Sequence, residues 1–375
     1  MVDRTAEILS PAVRTHYRLM PRAKSDQVET TRFVNLALLS RVAADSRLKL
    51  NQLETIRRKG SIRGEVSDVR GARHAMVEVS VCVATRGRAA GLETLLTSLV
   101  NQRGTPPFDV VVIDNDPAGS ARPVVARFAG RLPITYDIEP VPGVSSARNR
   151  SVAISRAPLL AFIDDDERAE PGWLAELHAK MTDPDVAAAI GVVTFEFDED
   201  VPLYRRRCRL FQGLEFADGE TLKWWGAWIG NSIIRRSALP DPPFQAALNL
   251  VGGEDSHLFD DMIAAGARVV AARRAVTIEY RSAARMRLVD LLGRSLRGGA
   301  TDLEIEWLKR QRRLRARLRY GVQSIILGLG HLALAIVCWI PARAFALRRL
   351  MEAANWAGRL GRLFGWRYHE YRTTR

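Results

Sequence analysis

Three consecutive aspartates, Asp164, Asp165 and Asp166, followed at once by Glu167, close a run carrying the large apolar residues Leu159, Leu160, Phe162 and Ile163. Carboxylates at this density cannot stay inside an apolar run, so they must emerge where it ends. In an extended segment successive side chains alternate, which puts Asp164 and Asp166 on one side and Asp165 on the other. That spacing builds an oxygen-donor site for a hard divalent cation, Mg²⁺ or Mn²⁺, with positions left open for a substrate's phosphates. Asp is equally at home in solvated loops and at helix N-termini, so the triplet needs its context. A second acidic pair, Glu254 and Asp255, opens an amphipathic segment with Leu258, Phe259 and Met262, where a carboxylate also serves as a helix cap.

The elements that position these groups follow from periodicity. Val77, Val79, Val81 and Val83 alternate as a strand, which breaks at Thr85, Arg86, Gly87 and Arg88. A helix with Leu92, Leu95, Leu96, Leu99 and Val100 on one face comes next, then a second apolar strand, Phe108 to Ile113, ending in Asp114, Asn115 and Asp116. Strand, helix and strand in this order predict an α/β fold with a mainly parallel sheet and helices on both faces. Ligands of such sheets bind at the carboxyl ends of the strands, where the acidic clusters lie. No GxGxxG follows the first strand and no GxxxxGK[ST] is present, which disfavours a dinucleotide-binding dehydrogenase and a phosphate-binding-loop enzyme.

The motifs VSVCVATRGR, VVIDND, GVSSARNRSV and AFIDDDERAEPGWL, in this order and spacing, resemble the nucleotide-sugar-binding half of glycosyltransferase family 2, whose catalytic domain has the GT-A fold. The resemblance covers roughly residues 77 to 300. It implies an inverting, metal-dependent transferase that moves a sugar from a nucleotide diphosphate donor, a UDP-sugar by preference, to a carbohydrate or lipid-linked acceptor, as in surface polysaccharide assembly. Thr85 and Arg88 would then meet the diphosphate and base, Asp114 a nucleobase edge or ribose, and Arg148 and Asn149 the nucleotide. Asp164 and Asp165 would face the ribose or the metal, with Asp166 and Asp164 as metal ligands. Asp255 would be the base that deprotonates the acceptor hydroxyl, the second residue of the family's Glu-Asp pair. Gly230, Asn231, Glu254, Trp228 and Arg285 would complete the substrate site, Arg285 reaching the donor diphosphate. Trp224, Trp225 and Trp228 are open to sugar stacking, core packing or a membrane-facing role. Many relatives carry a His near the end of the following strand, but this chain has Glu279 and Tyr280 there, which leaves Glu279 as a possible third oxygen ligand. A nucleotidyltransferase of related fold and a membrane-bound scaffold without catalysis are the competing readings.

Composition frames the rest. The 375 residues carry a formal net charge of +14, so acidic partners are expected. A polyanion such as nucleic acid would meet the aspartates along the ligand edge, so nucleic acid is not an expected partner. Cys82, Cys208 and Cys338 are widely spaced, without a CxxC, which predicts neither a disulfide framework nor a zinc site and favours a reducing compartment. Residues 1 to 75 read as a basic extension with a helix around Phe33 to Leu53 and a linker at Lys59 to Gly64, and the amino-terminal stretch lacks the apolar core of a secretory signal. Residues 76 to 300 read as the catalytic domain and 301 to 375 as basic and apolar helices. In the last region Tyr320 to Ile340 is 21 residues without formal charge, flanked by arginines, and Ala342 to Trp366 reads as an amphipathic helix. A bilayer span and an interfacial hairpin both fit, which favours a place at the cytoplasmic face of a membrane, with lipid as a partner, over a buried helix of a soluble protein.

Overall fold

The alternation of Val79, Val81 and Val83 against Ser80 and Cys82 places two sets of side chains on opposite faces of one strand, and both faces are covered. In the computed structural model this strand, β1 (Val79–Thr85), lies in an eight-stranded sheet. Residues 77–208, 216–310 and 314–366 are described. The candidate helix at Phe33 to Leu53, the linker at Lys59 to Gly64 and the side chains between 310 and 318 lie outside the described residues.

After β1 come α1 (Ala89–Val100), β2 (Phe108–Asp114), the short α2 (Arg122–Ala126), β3 (Ile134–Ile138), α3 (Val144–Ile154) and β4 (Leu159–Ile163). β5 (Glu167–Ala169), α4 (Trp173–Lys180), β6 (Val186–Phe197), the one-turn α5 (Leu203–Arg206), β7 (Asn231–Arg235), α6 (Glu254–Ala264) and β8 (Arg268–Arg281) complete the sheet region. The sheet order is β3-β2-β1-β4-β7-β6-β8-β5. β3, β2, β1 and β4 run parallel, as expected; β7 is antiparallel to both β4 and β6, and β5 to β8, so the second half is mixed.

Leu92, Leu95, Leu96 and Leu99 of α1 pack with Trp173 and Leu174 of α4 on the face of Val79, Val81 and Val83. The opposite face carries Cys82, Leu160 and Phe162 against Phe244 and Phe259, and Val111 and Ile113 against Ala147 of α3. In register, Thr85 pairs with Asp114, so the ends of β1 and β2 are level, and β4 ends beside them. This layering fixes one edge where the loops after β1, β2 and β4 meet.

Three long helices follow: α7 (Leu288–Arg310), α8 (Leu314–Cys338) and α9 (Arg343–Leu363). The expected domain boundary at 300/301 falls inside α7, and α9 contributes Leu347 and Met351 to one cluster with Val201, Met286 and Leu291. α7 and α9 approach closely because glycines face each other's backbone. A Cβ on Gly358 would lie 1.8 Å from the Leu296 carbonyl oxygen, and one on Gly299 1.8 Å from that of Asn355. Inside this contact Arg362 pairs with Glu304 and stacks 4.6 Å from the Trp307 ring centre. α8 carries the apolar stretch Arg319–Cys338, 20 residues of mean hydropathy 1.9, long enough to cross a bilayer, and only 11% of its most apolar window is buried.

Candidate active site

The carboxylate triplet does not continue the strand. β4 stops at Ile163, and Asp165 and Asp166 form a turn into β5, stabilised by the Glu167 amide donating to the Asp164 carbonyl (3.1 Å). The alternation expected of an extended segment is therefore corrected, since one guanidinium nitrogen, Arg88 Nη1, donates to both Asp165 Oδ1 (2.8 Å) and Asp166 Oδ2 (3.1 Å). Asp165 is buried and also accepts from the Thr85 hydroxyl (2.7 Å). Burial raises its pKa despite the arginine and the hydroxyl. Thr85, Arg88 and Asp165 thus lock the loop after β1 to the turn after β4. Gly91 allows this closeness, because a Cβ there would lie 2.5 Å from the Asp165 carbonyl oxygen.

Arg148, on α3, joins the two acidic motifs. Its Nη2 donates to Asp164 Oδ1 at 2.8 Å, and its Nη1 donates to Glu254 at the start of α6. Glu254 is buried and its pKa is pushed up to about 7, mainly by burial, with Arg148 opposing and Asp255 adding to the rise. Asp255 beside it is more open, and its pKa is likewise raised by burial. Its Oδ1 accepts from the Ser256 amide at 2.7 Å, and Oδ2 has no hydrogen-bond partner among the described residues. Glu254, expected in the substrate site, thus forms a buried ion pair with Arg148 directly beside Asp255.

On the other side, Arg285 donates from both terminal nitrogens to Asp166 Oδ2 at 3.0 Å and lies 3.7 Å from Glu279. Glu279 also pairs with Arg281 at 2.6 Å, and burial pushes its pKa up to about 7. Directly opposite Glu279 in the ladder stands Glu167, which is buried, with Oε2 lacking a hydrogen-bond partner among the described residues. Burial, and then the charge of Asp164, hold its pKa well above the usual carboxylate range. Sequence reasoning gave Glu167 no role; the signal available was a fourth carboxylate directly after the triplet. Gly230 floors this cluster: a Cβ there would lie 2.5 Å from Asp164 Oδ2 and 3.2 Å from Glu167 Oε1.

Three residues expected to contact ligand make hydrogen bonds within the protein, and two of them, Asp114 and Asn231, are fully buried. Asp114 is fully buried and accepts from the amides of Asp116 and Ala121 and from the Tyr136 hydroxyl, so it shapes the loop after β2. Asn149 exchanges two hydrogen bonds with the backbone of Phe244, at 2.8 and 3.0 Å. Asn231, also fully buried, accepts from the Trp173 indole (2.8 Å) and donates to Val192, Ala275 and Thr277 at 3.1 Å each. Trp228 packs partly buried against the cluster around Phe244, and its indole N–H has no partner among the described residues, whereas Trp224 and Trp225 are exposed.

Among the described residues no three His, Cys, Asp or Glu side chains converge into a ready cation cage. Mg²⁺-type sites need none, because they commonly take one or two carboxylates and complete their shell with water and substrate phosphates. Asp164, whose side chain is 45% exposed, and Asp166 supply such oxygens beside buried carboxylates of raised pKa, a donor set that fits a hard cation.

A sequence model described as Glycosyl transferase family 2 matches residues 80–241. The succinoglycan biosynthesis protein ExoM of Rhizobium meliloti is 30% identical over 301 residues, covering 76% of this chain and 93% of that protein. The chain belongs to glycosyltransferase family 2. Validoxylamine A glucosyltransferase of Streptomyces hygroscopicus subsp. limoneus is 32% identical over 144 residues, 38% of this chain and 32% of that one. Among solved structures, the mannosyltransferase PcManGT of Pyrobaculum calidifontis, in complex with GDP-Man and Mn²⁺, superposes with a TM-score of 0.52 at 17% identity over 87% of this chain and 98% of its own. That likeness establishes the GT-A fold. The family 2 chain is therefore a glycosyltransferase, and its curated relatives include a polysaccharide biosynthesis protein.

Proposed function

We propose that this glycosyltransferase transfers a sugar from a nucleotide diphosphate donor, a UDP-sugar by preference, by a single inverting displacement, with Asp255 as the base. The observation that carries the reading is the Arg148 guanidinium, which bonds Asp164 of the turn and Glu254 next to Asp255. One rigid cation thereby sets the spacing between the turn and the base. The loop after β1, held by Thr85, Arg88 and Asp165, forms the wall of the nucleotide crevice. Asp164 and Asp166 would hold Mg²⁺ or Mn²⁺, which when bound neutralises charge developing on the departing diphosphate. Arg285, its fork now on Asp166, is within reach to share that charge. An acceptor hydroxyl gives its proton to the free oxygen of Asp255, its oxygen bonds to the anomeric carbon, and the nucleoside diphosphate leaves with the electrons of the broken C–O bond. The exposed apolar face of α8 supports a place at the cytoplasmic face of a membrane.

Asp255→Asn tests the assignment. Turnover is expected to fall by about 10²- to 10⁴-fold with nucleotide-sugar affinity retained, because only proton transfer is removed. An equal fall in donor affinity would contradict it.

A further inference from the structure

Beside the acidic turn lies its electrostatic opposite. An open cavity of about 350 Å³ at the start of α7 is lined by Arg285, Arg287, Arg294 and Arg297, with Val289 and Asp290. Asp290 is paired with Arg287 at 3.2 Å, and Arg285 with Asp166 of the turn at 3.0 Å. Arg294 is half-buried and forms no hydrogen bond or ion pair among the described residues. Burial and the neighbouring Arg281, Arg285 and Arg297 push its pKa down to about 10. Four guanidiniums that converge on one cavity, with Arg294 left unpartnered among the described residues, form a seat for an anion, and guanidinium forks match phosphate oxygens. Arg285 belongs to both regions, so an anion here lies next to the turn.

The cavity also borders apolar surface. Val289 in its wall is 71% exposed. Arg205 of α5 donates to the Met286 carbonyl at 2.8 Å, and its neighbour Tyr204 meets Trp339, at the end of α8, edge-on at 6.4 Å. The carboxyl-terminal end of α8 therefore arrives beside the arginines. Val337 and Ile340 there are 75% and 86% exposed. A phosphate seat next to an apolar track suits an amphiphile.

We propose that the arginine-lined cavity at the start of α7 seats the phosphate or diphosphate of a lipid-linked acceptor, with the lipid chain along the exposed apolar surface of α8. This rests on the glycosyltransferase reading above and names its acceptor class. The cavity then holds the acceptor's anionic end near Asp166 while the sugar hydroxyl to be glycosylated extends toward Asp255.

The test titrates farnesyl diphosphate, inorganic pyrophosphate and farnesol calorimetrically into the full chain and into Arg294→Ala, Arg294→Gln and Arg297→Ala, with a UDP-sugar titrated in parallel. Farnesyl diphosphate is expected to bind more tightly than pyrophosphate or farnesol, and to weaken about tenfold or more in the variants while UDP-sugar affinity stays at the wild-type level. Retained UDP-sugar binding also shows that the variants are folded. Equal loss of UDP-sugar and farnesyl diphosphate would assign the cavity to the donor and overturn the proposal. Pyrophosphate binding as tight as farnesyl diphosphate would overturn the lipid, and unchanged farnesyl diphosphate binding in all variants would overturn the seat. Wild-type protein that binds farnesyl diphosphate but no nucleotide sugar would sink the donor reading and leave the cavity assignment standing.

Discussion

The turn after β4 and the cavity at the start of α7 share Arg285 yet carry opposite surpluses. Around the turn, Asp164, Asp165, Asp166, Glu167, Glu254 and Glu279 outnumber Arg88, Arg148, Arg281 and Arg285, and burial lifts the pKa values of Asp165, Glu167, Glu254 and Glu279. Four arginines and one aspartate line the cavity, Arg285 being shared with the turn, and burial and the neighbouring arginines lower the pKa of Arg294. Each region would be relieved by a ligand of the other sign, a cation in the first and a phosphate in the second. A transferase that handles two charged substrates gains from this separation, because donor and acceptor phosphates then have only Arg285 in common.

The comparison breaks most severely at Arg148. Arg148→Met leaves Glu254 buried without its counter-ion and unties Asp164. A loss of roughly 3 kcal/mol is expected in denaturant unfolding, the low end for a broken buried pair because Glu254 can take up a proton. Transfer should disappear with it.

Gly230→Ala strikes the acidic region alone. Its Cβ would press on Asp164 Oδ2, so about 1–3 kcal/mol of overpacking strain is expected, with weakened Mn²⁺-dependent donor binding and farnesyl diphosphate binding intact.

A pH series sharpens the contrast without mutation. Glu254 and Glu279 have folded pKa values raised from 4.5 to about 7, so between those values the folded state binds more protons than the unfolded state. Their contribution to stability is full below the ordinary carboxylate pKa and is lost as pH rises through about 7. Thermal unfolding of the ligand-free protein should therefore move to lower temperature across that window, and Mn²⁺ with donor should reduce the slope.

The smallest effect is expected from Asp290→Asn, which removes the carboxylate paired with Arg287 at the exposed rim of the cavity. Farnesyl diphosphate affinity should rise by no more than about fivefold, with donor affinity unchanged.

Sequence reading reached the strands and the edge they share because burial on both faces leaves an unbroken apolar signature, as in Leu159–Ile163. It reached α8 because an uncharged stretch of that length is rare in an ordinary helix. Polar residues near the ligand edge were harder to read. Asp114, Asn149 and Asn231 look the same in sequence whether they face a ligand or the interior, and their partners Tyr136, Phe244 and Trp173 lie 22, 95 and 58 residues away. The turn at Asp165 and Asp166 broke the alternation rule because Arg88, reaching in from another strand's loop, holds both carboxylates. The arginine cavity was hidden for a related reason: Arg294 and Arg297 sit in a helix whose spacing gives no sign that Arg285 and Arg287 fold back beside them.

The central claim is that the aspartate turn holds a nucleotide sugar through a divalent cation. Calorimetric titration of UDP- and GDP-sugars into the full chain, with and without Mn²⁺, and into Asp166→Ala, tests it most directly. Tight binding of one donor that requires Mn²⁺ and is lost in Asp166→Ala is the predicted result. Binding of equal strength without metal, or unchanged in Asp166→Ala, would contradict it.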